Sequence, residues 1–93
     1  MIIKGKVKVI INQEDYYKIN EKVIIVAQRT TPDIVVVIHN VVGIITEVDS
    51  KLCHAAIISR EYNKPLVMGI QGATKKYKDG DEITINSETK KIC

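Results

Sequence analysis

The fold is decided by residues 22–46, which read KVIIVAQRTTPDIVVVIHNVVGIIT. Most of these side chains are branched at Cβ, and the whole chain is similar, with 17 Ile, 11 Val and 6 Thr against 2 Leu in 93 residues. Branched side chains are stiff at χ1, which disfavours helices slightly and suits the pleated surface of a sheet. A helical bundle or coiled coil would be rich in Leu, Ala and Glu instead. The composition therefore predicts a sheet-dominated domain with few helices.

Strand patterns extend along the chain on both sides of this stretch. Residues 22–27 form an apolar run typical of a buried strand, whereas residues 2–11 alternate polar and apolar side chains as a half-buried strand does. A tight turn at Gly80 precedes a second alternating segment. The strands predicted in this way are residues 2–11, 22–27, 44–46, 66–68, 82–86 and 91–92.

Two helices are predicted between these strands. Thr31 can cap a helix whose first residue is Pro32, and apolar residues recur at helical spacing up to Val41, before Gly43 ends the segment. The second helix is predicted from His54 to Tyr62 and is stopped by the Asn-Lys-Pro that follows. The segment between residues 12 and 20 is polar and predicts only a break.

Length and composition predict one domain, residues 1–93, in a cytoplasmic protein. The longest apolar run, Ile34 to Ile38, is far shorter than the roughly 20 residues that cross a bilayer, and no signal peptide is visible, so no membrane association is expected. The net charge of +3 comes from dispersed lysines without interleaved aromatic residues, which argues against nucleic-acid binding. Cys53 and Cys93 are too few for a disulfide framework.

His54 lies where a polar loop enters the second predicted helix. Unpaired N–H groups and the positive end of the helix dipole make the start of a helix favourable for an anion. A neutral imidazole is a nucleophile toward phosphorus, and the small side chains of Ala55 and Ala56 leave the approach to it open. This pattern indicates a histidine that takes up a phosphoryl group. Spacing alone leaves the alternative, commoner for a single histidine, that His54 ends the loop and packs locally.

The other reactive side chains form weaker patterns. Cys53 adjoins His54, but neighbouring side chains diverge on strands and helices alike, so a Cys–His nucleophilic pair is disfavoured and Cys53 is interpreted as a small buried residue. His39 falls in the last turn of the first predicted helix, where it stabilises the helix end. Two cysteines and two histidines without paired spacing argue against a metal site. Arg60 could reach a phosphate, although such an arginine is more often solvated or paired.

Five segments follow one another with a distinctive order and spacing: residues 31–33 (TPD), 42–47 (VGIITE), 53–61 (CHAAIISRE), 65–69 (PLVMG) and 78–85 (KDGDEITI). Together they resemble the mobile phosphohistidine domain of PEP-utilising enzymes, a family that includes pyruvate phosphate dikinase, phosphoenolpyruvate synthase and enzyme I of the sugar phosphotransferase system. The resemblance implies an α/β fold, the swivelling β/β/α domain, rich in sheet with one or two short helices packed on it. It also implies that His54 is phosphorylated, with Cys53, Ala55 and Arg60 as neighbours of the phosphoryl group.

The same resemblance implies a carrier that needs partners. In the family, this domain moves between two active centres while its histidine carries the phosphoryl group. One centre is an ATP-grasp nucleotide-binding domain, and the other is a TIM-barrel domain that binds Mg²⁺ with PEP or pyruvate. Neither fits into 93 residues, so we expect this chain to bind no cofactor itself and Mg²⁺ to be held only by the partner catalytic domains.

Three positions ahead of His54 depart from the family pattern. Asp49 and Ser50 stand where the family has two glycines, which let a backbone approach closely, and Leu52 stands where it has threonine. These departures support an alternative hypothesis, a non-catalytic binding or regulatory module that keeps the fold without efficient phosphotransfer. A small enzyme that acts alone through Cys53 is a third hypothesis, and the divergence of adjacent side chains counts against it.

Overall fold

The computed structural model describes residues 2–49 and 54–93, and within them the chain forms one six-stranded sheet. Its order is β4-β3-β2-β1-β5-β6, parallel from β4 to β1 and antiparallel from β1 to β6. All six predicted strands are confirmed, and only β3 differs from its predicted bounds by more than one residue. The strands are β1 (Ile2–Ile10), β2 (Val23–Ala27), β3 (Val41–Thr46), β4 (Leu66–Val67), β5 (Glu82–Asn86) and β6 (Lys91–Ile92).

Short helices connect the strands in the described part of the chain. They are α1 (His54–Glu61), α2 (Ala73–Lys76) and two 3-10 helices, Gln13–Lys18 and Pro32–Asn40. The helix predicted to begin at His54 is confirmed as α1. The first 3-10 helix occupies the segment predicted only as a break, and it places Tyr16 in the core with no exposed surface. Neither this helix nor α2 has enough apolar periodicity to be recognised from sequence, because each spans only one or two turns.

The helix predicted to end at Gly43 is instead the second 3-10 helix, and the prediction of its end is wrong. Its start is as predicted: Thr31 precedes it in extended conformation, and the Thr31 carbonyl accepts the N–H of Ile34 at 3.1 Å. Ile34 and Val37 are both buried and lie three residues apart, which is one row of a 3-10 helix. β3 begins directly after Asn40, because the β-branched residues there pair with β2 rather than continue a helix.

Gly43 therefore lies inside β3, at a point where the sheet curls. The pairing of β2 with β3 slips by one residue just before Gly43, which makes a β-bulge. A Cβ on Gly43 would lie 2.6 Å from Cδ1 of Ile85 in β5, although β2 and β1 separate the two strands. Three strand spacings in a flat sheet would amount to about 14 Å. The sheet is consequently curled almost into a barrel.

Both faces of the sheet are covered. One face packs against α1 and the two 3-10 helices, with Tyr16 and Ala55 in its cluster, and the other packs against α2 and the inside of the curl, with Ala73 and Ile85. Because β1, β2 and β3 are parallel, their carboxyl ends lie at one edge, and α1 brings His54 in as its first residue. Ligands of open α/β sheets bind outside the carboxyl ends of parallel strands. None of the helices in residues 2–49 and 54–93 is long and apolar enough to cross a bilayer.

Candidate functional site

Two loops at the carboxyl edge of the sheet are tied together just beyond β2 and β3. The N–H of Glu47 donates to the carbonyl of Ala27 at 3.1 Å, and the N–H of Val48 donates to the carbonyl of Gln28 at 3.1 Å. These bonds extend the parallel pairing past the ends of both strands. The segment that follows β2 is thereby held beside the segment that follows β3.

His54 is half-buried, and Thr30 holds its ring. The hydroxyl Oγ1 of Thr30 lies 2.8 Å from Nδ1 of His54, and Thr30 is only 5 % exposed. With the ring proton on Nδ1, the imidazole donates to the hydroxyl and Nε2 keeps its lone pair; with the proton on Nε2, the hydroxyl donates to Nδ1. In either tautomer the contact orients the ring through Nδ1, and in the Nδ1–H tautomer it leaves Nε2 as the nitrogen whose lone pair can react.

A cavity of about 270 Å³ lies at His54. Three segments that are distant in sequence make its walls: the loop after β2, the end of β3 with its loop, and the first turn of α1. Thr46 is fully buried and donates its hydroxyl to the carbonyl of Val48 at 2.8 Å, which fixes the wall formed by β3. Ala55 is buried next to His54, with a side chain small enough to leave the cavity open. The cavity is lined by Arg29, Thr30, Thr46, Val48, His54 and Ala55.

The sequence interpretation misses four of the cavity residues, Thr46 and Val48 on the β3 side and Arg29 and Thr30 in the loop after β2. Arg29 is exposed, and its guanidinium makes no hydrogen bond or ion pair with any other residue that the structure describes. The signal available in the sequence was position: both residues follow directly on the buried run 22–27, and the carboxyl end of a parallel strand is a preferred place for ligand contacts. The run of residues 22–27 predicts a buried strand, but it does not reveal whether the neighbouring strands are parallel to it. The position of Arg29 and Thr30 after this strand therefore could not identify them as site residues.

The structure does not bring Arg60 to the cavity at His54. Arg60 is exposed six residues further along α1, a distance of about 9 Å at the rise of an α-helix. It belongs to a separate cavity of about 270 Å³. That second cavity is lined by Ala56, Ser59, Arg60 and Met68. A role for Arg60 beside the phosphoryl group stays a prediction.

The loop that precedes α1 is described only in part. Cys53, Ser50 and Leu52 lie outside the described residues, so the role predicted for Cys53 and the effect of the two substitutions stay predictions. Asp49 is exposed, and its carboxylate lies against Gly69, where an added Cβ would be 2.9 Å from Oδ2. His39 is exposed at the end of the second 3-10 helix, and its carbonyl accepts a bond from Nζ of Lys22 at 3.3 Å.

Glu47 ties the loop after β3 to α2 at the same edge of the sheet. Its Oε2 accepts the backbone N–H of Thr74 at 2.9 Å and the hydroxyl of Thr74 at 2.7 Å. These two donors hold the pKa of Glu47 below its usual value, because they stabilise the ionised carboxylate. Among residues 2–49 and 54–93, no three His, Cys, Asp or Glu side chains come together as a set of metal ligands.

Comparisons with known proteins identify the family of the chain. A family model described as "PEP-utilising enzyme, mobile domain" matches residues 19–90. A probable phosphoenolpyruvate synthase of Archaeoglobus fulgidus is 42 % identical over 87 residues, which are 94 % of this chain and 12 % of that enzyme. A rifampicin phosphotransferase of Bacillus cereus is 35 % identical over 85 residues, 91 % of this chain and 10 % of that protein. The chain thus spans about a tenth of the length of these relatives.

The fold has a counterpart among solved structures. The solution structure of an Enzyme I protein superposes with a TM-score of 0.69 and 26 % sequence identity, over 89 % of this chain and 33 % of that one. The sheet-rich architecture with a few short helices is therefore shared with that Enzyme I protein, as the resemblance in the sequence implied.

Proposed function

The chain belongs to the family of mobile domains of PEP-utilising enzymes, and on this premise we propose that it is a phosphoryl carrier that acts through His54. The contact that carries the proposal is the 2.8 Å bond between Thr30 Oγ1 and His54 Nδ1. It supports Nε2 as the acceptor, because a ring that is fixed through one nitrogen presents the other to an incoming group in a constant orientation.

The transfer is a pair of displacements at phosphorus. On loading, the lone pair of Nε2 attacks the phosphorus of the donor; the N–P bond forms while the P–O bond to the leaving oxygen breaks, and that oxygen keeps the electron pair. On unloading, an acceptor oxygen attacks the same phosphorus and releases its proton, and the N–P electron pair returns to Nε2. Thr30 can serve in both steps, because a hydroxyl accepts from Nδ1–H in one protonation state and donates to bare Nδ1 in the other.

The position of His54 at the start of α1 supports the same role. The first N–H groups of a helix have no partner within it and point outward, and the helix dipole is positive at this end. A phosphoryl group on His54 would add negative charge where these donors favour it. α1 has only eight residues, so this contribution is modest, and other donors are needed around the group.

The donor and the acceptor would come from partner catalytic domains. We propose that these are an ATP-grasp domain, a PEP-binding barrel, or both, and that they hold whatever Mg²⁺ the transfer requires. The proposal of partner domains is supported by the length of the relatives, because this chain matches only 12 % of one and 10 % of the other. A cytoplasmic setting belongs to the same proposal.

The experiment is intact-mass analysis at neutral pH after incubation with partner domains and a donor. The full 93-residue chain is mixed with the catalytic domains of the Archaeoglobus fulgidus relative, Mg²⁺ and either PEP or ATP. We expect one added phosphoryl group that is lost in acid, and none in His54→Ala. His39→Ala is the matched control. His39 is the other histidine of the sequence, and its replacement should leave phosphorylation unchanged.

The outcome also separates the carrier from the non-catalytic module. If the wild-type chain gains no phosphoryl group with either donor, although it binds the partner domains equally well with and without His54→Ala, the carrier proposal is rejected. The alternative of a binding or regulatory module is then the one supported.

A further inference from the structure

Arg29 stands out on the carboxyl edge of the sheet because no side chain within residues 2–49 and 54–93 compensates its charge. It is one of two arginines in the sequence, and it lies on the wall of the cavity at His54. Its guanidinium has no hydrogen-bond acceptor and no carboxylate among the residues that the structure describes. Arginine carries five donors in a fixed planar fork, and such a group beside a nucleophile is suited to an anion that arrives from outside.

The backbone on both sides of Arg29 is fixed. The carbonyl of Gln28 accepts the N–H of Val48 at 3.1 Å, and the buried side chain of Thr30 bonds the ring of His54 at 2.8 Å. Arg29 lies between these two anchors, so its side chain starts from a constant position at the rim of the cavity. Only its rotamers remain to be ordered when an anion binds, and a preorganised backbone reduces the cost of that ordering.

We propose that Arg29 contacts the phosphoryl group on His54 and the phosphate of the incoming donor. This inference rests on the proposed function and names the residue that gives the site its preference for a phosphate anion. Phosphoryl transfer spreads negative charge over the three equatorial oxygens in the transition state. A guanidinium matches two of those oxygens at once, so Arg29 adds directional donors to those at the start of α1.

Other cations of the chain are less well placed for this role. Arg60 belongs to a different cavity. Lys8 lies close to a carboxylate oxygen of Asp79, at 3.2 Å, and Lys76 lies over the ring of Tyr77. None of these three residues lines the cavity at His54, whereas Arg29 does.

The first test measures the binding of inorganic phosphate to the unphosphorylated chain by NMR titration, following the side-chain signals of Arg29 and His54. We expect Arg29→Gln to weaken binding about tenfold and Arg29→Lys by less, because lysine keeps the charge and loses the fork. Lys91→Gln on β6 is the charge-matched control, and Arg60→Gln tests the competing arginine. Binding should weaken as salt is added, since Arg29 is exposed. Equal phosphate affinity in Arg29→Gln and Lys91→Gln would overturn the proposal.

The second test follows the phosphorylated state without any partner. Phosphoramidate loads histidine chemically, and intact-mass analysis gives the rate at which His54 loses the phosphoryl group at neutral pH. We expect that rate to change severalfold in Arg29→Gln and to stay constant in Lys91→Gln. If Arg29→Gln and Lys91→Gln are both loaded on His54, bind inorganic phosphate equally well and lose the phosphoryl group at the same rate, Arg29 has no role. The carrier proposal stands in that case. If partner domains do not load His54, the carrier proposal fails, and the phosphate titration still decides whether Arg29 binds the anion.

Discussion

Replacement of Gly43 by alanine tests whether the sheet is curled as tightly as the structure has it. Gly43 lies in β3, the strand that leads to Thr46 in the site, and it is buried. A Cβ there would be 2.6 Å from Cδ1 of Ile85, about 0.8 Å closer than the 3.4 Å at which ordinary van der Waals contact begins. Ile85 has no exposed surface, so its methyl group cannot simply swing into solvent.

The expected cost follows from two opposing effects. Inserting a methyl group into a packed core costs about 1–3 kcal/mol, because side chains or backbone must shift. Alanine also restricts the unfolded chain relative to glycine, which contributes about 0.4–1 kcal/mol of stability. The net expectation is a loss of about 1–2 kcal/mol in the free energy of unfolding, or several degrees in Tm for a domain of this size.

A double-mutant cycle assigns the cost to this contact. Ile85→Val removes Cδ1, after which the nearest atoms to the new Cβ are at 3.6 and 3.7 Å, an ordinary contact distance. Alone, Ile85→Val should cost about 0.5–1.5 kcal/mol; combined with Gly43→Ala, it should cost clearly less than the sum, with a coupling near 1 kcal/mol. Ile83→Val, two residues earlier in β5 and also buried, is the control and should be additive.

Urea unfolding followed by circular dichroism measures all five variants against the wild type. If Gly43→Ala is as stable as wild type, β5 does not lie over β3 as described. Lower stability with no coupling would mean that the cost arises in the backbone of the bulge rather than at Ile85.

Two further predictions concern the edge of the sheet. Thr30→Val should slow phosphorylation of His54 about three- to tenfold, because the ring loses one hydrogen bond, whereas Thr30→Ser should preserve the rate. ¹⁵N NMR of the ring nitrogens follows the loss of the bond at Nδ1, and an unchanged rate together with an unchanged Nδ1 signal in Thr30→Val would contradict a positioning role. The pKa of Glu47 is lowered in the folded chain by the donors of Thr74, so its contribution to stability is complete above the unfolded-state pKa near 4.5 and is lost as pH falls through the folded-state value. Glu47→Gln should therefore flatten the acid side of the plot of unfolding free energy against pH, measured by urea unfolding, and Thr74→Val should flatten it partly. An unchanged plot in Glu47→Gln would show that the two bonds from Thr74 do not form in solution.

The strands could be predicted because their pattern is local. Alternation in β1 and β5 and the apolar run of β2 depend only on neighbouring residues, and β-branched side chains favour extended backbone at each position. The curl could not be predicted in this way. The curl requires that Gly43 has no side chain, because Ile85 fills the space above it. These two residues are far apart in sequence and come together only when the strands are ordered in the sheet. The same limit explains the wrong end of the first predicted helix, since pairing with β2 decides where β3 begins.

The residues of the candidate site also fall into two groups, those recognisable from local sequence and those brought together only by strand pairing. His54 and Ala55 could be predicted because a loop, a histidine and small residues at the start of a helix are adjacent in sequence. Thr30 and Arg29 could not, because they reach His54 only through the parallel pairing of β2 with β3 and the bonds that extend it to Val48. Arg60 was predicted to lie beside the phosphoryl group because it is close to His54 in sequence. It lies six residues further along α1, at a different cavity.

A histidine that exchanges a phosphoryl group with separate partners has two opposing requirements. Its ring must be held still, so that attack on phosphorus needs no further ordering, and its reacting nitrogen must remain reachable by large catalytic domains. Here the two requirements are met by different sides of the ring: buried Thr30 holds Nδ1, while Nε2 is left to a cavity with Arg29 exposed at its rim. Because the holding contact comes from the sheet edge, the ring of His54 is fixed by two elements: α1 holds its backbone, and the loop after β2 holds Nδ1 through Thr30.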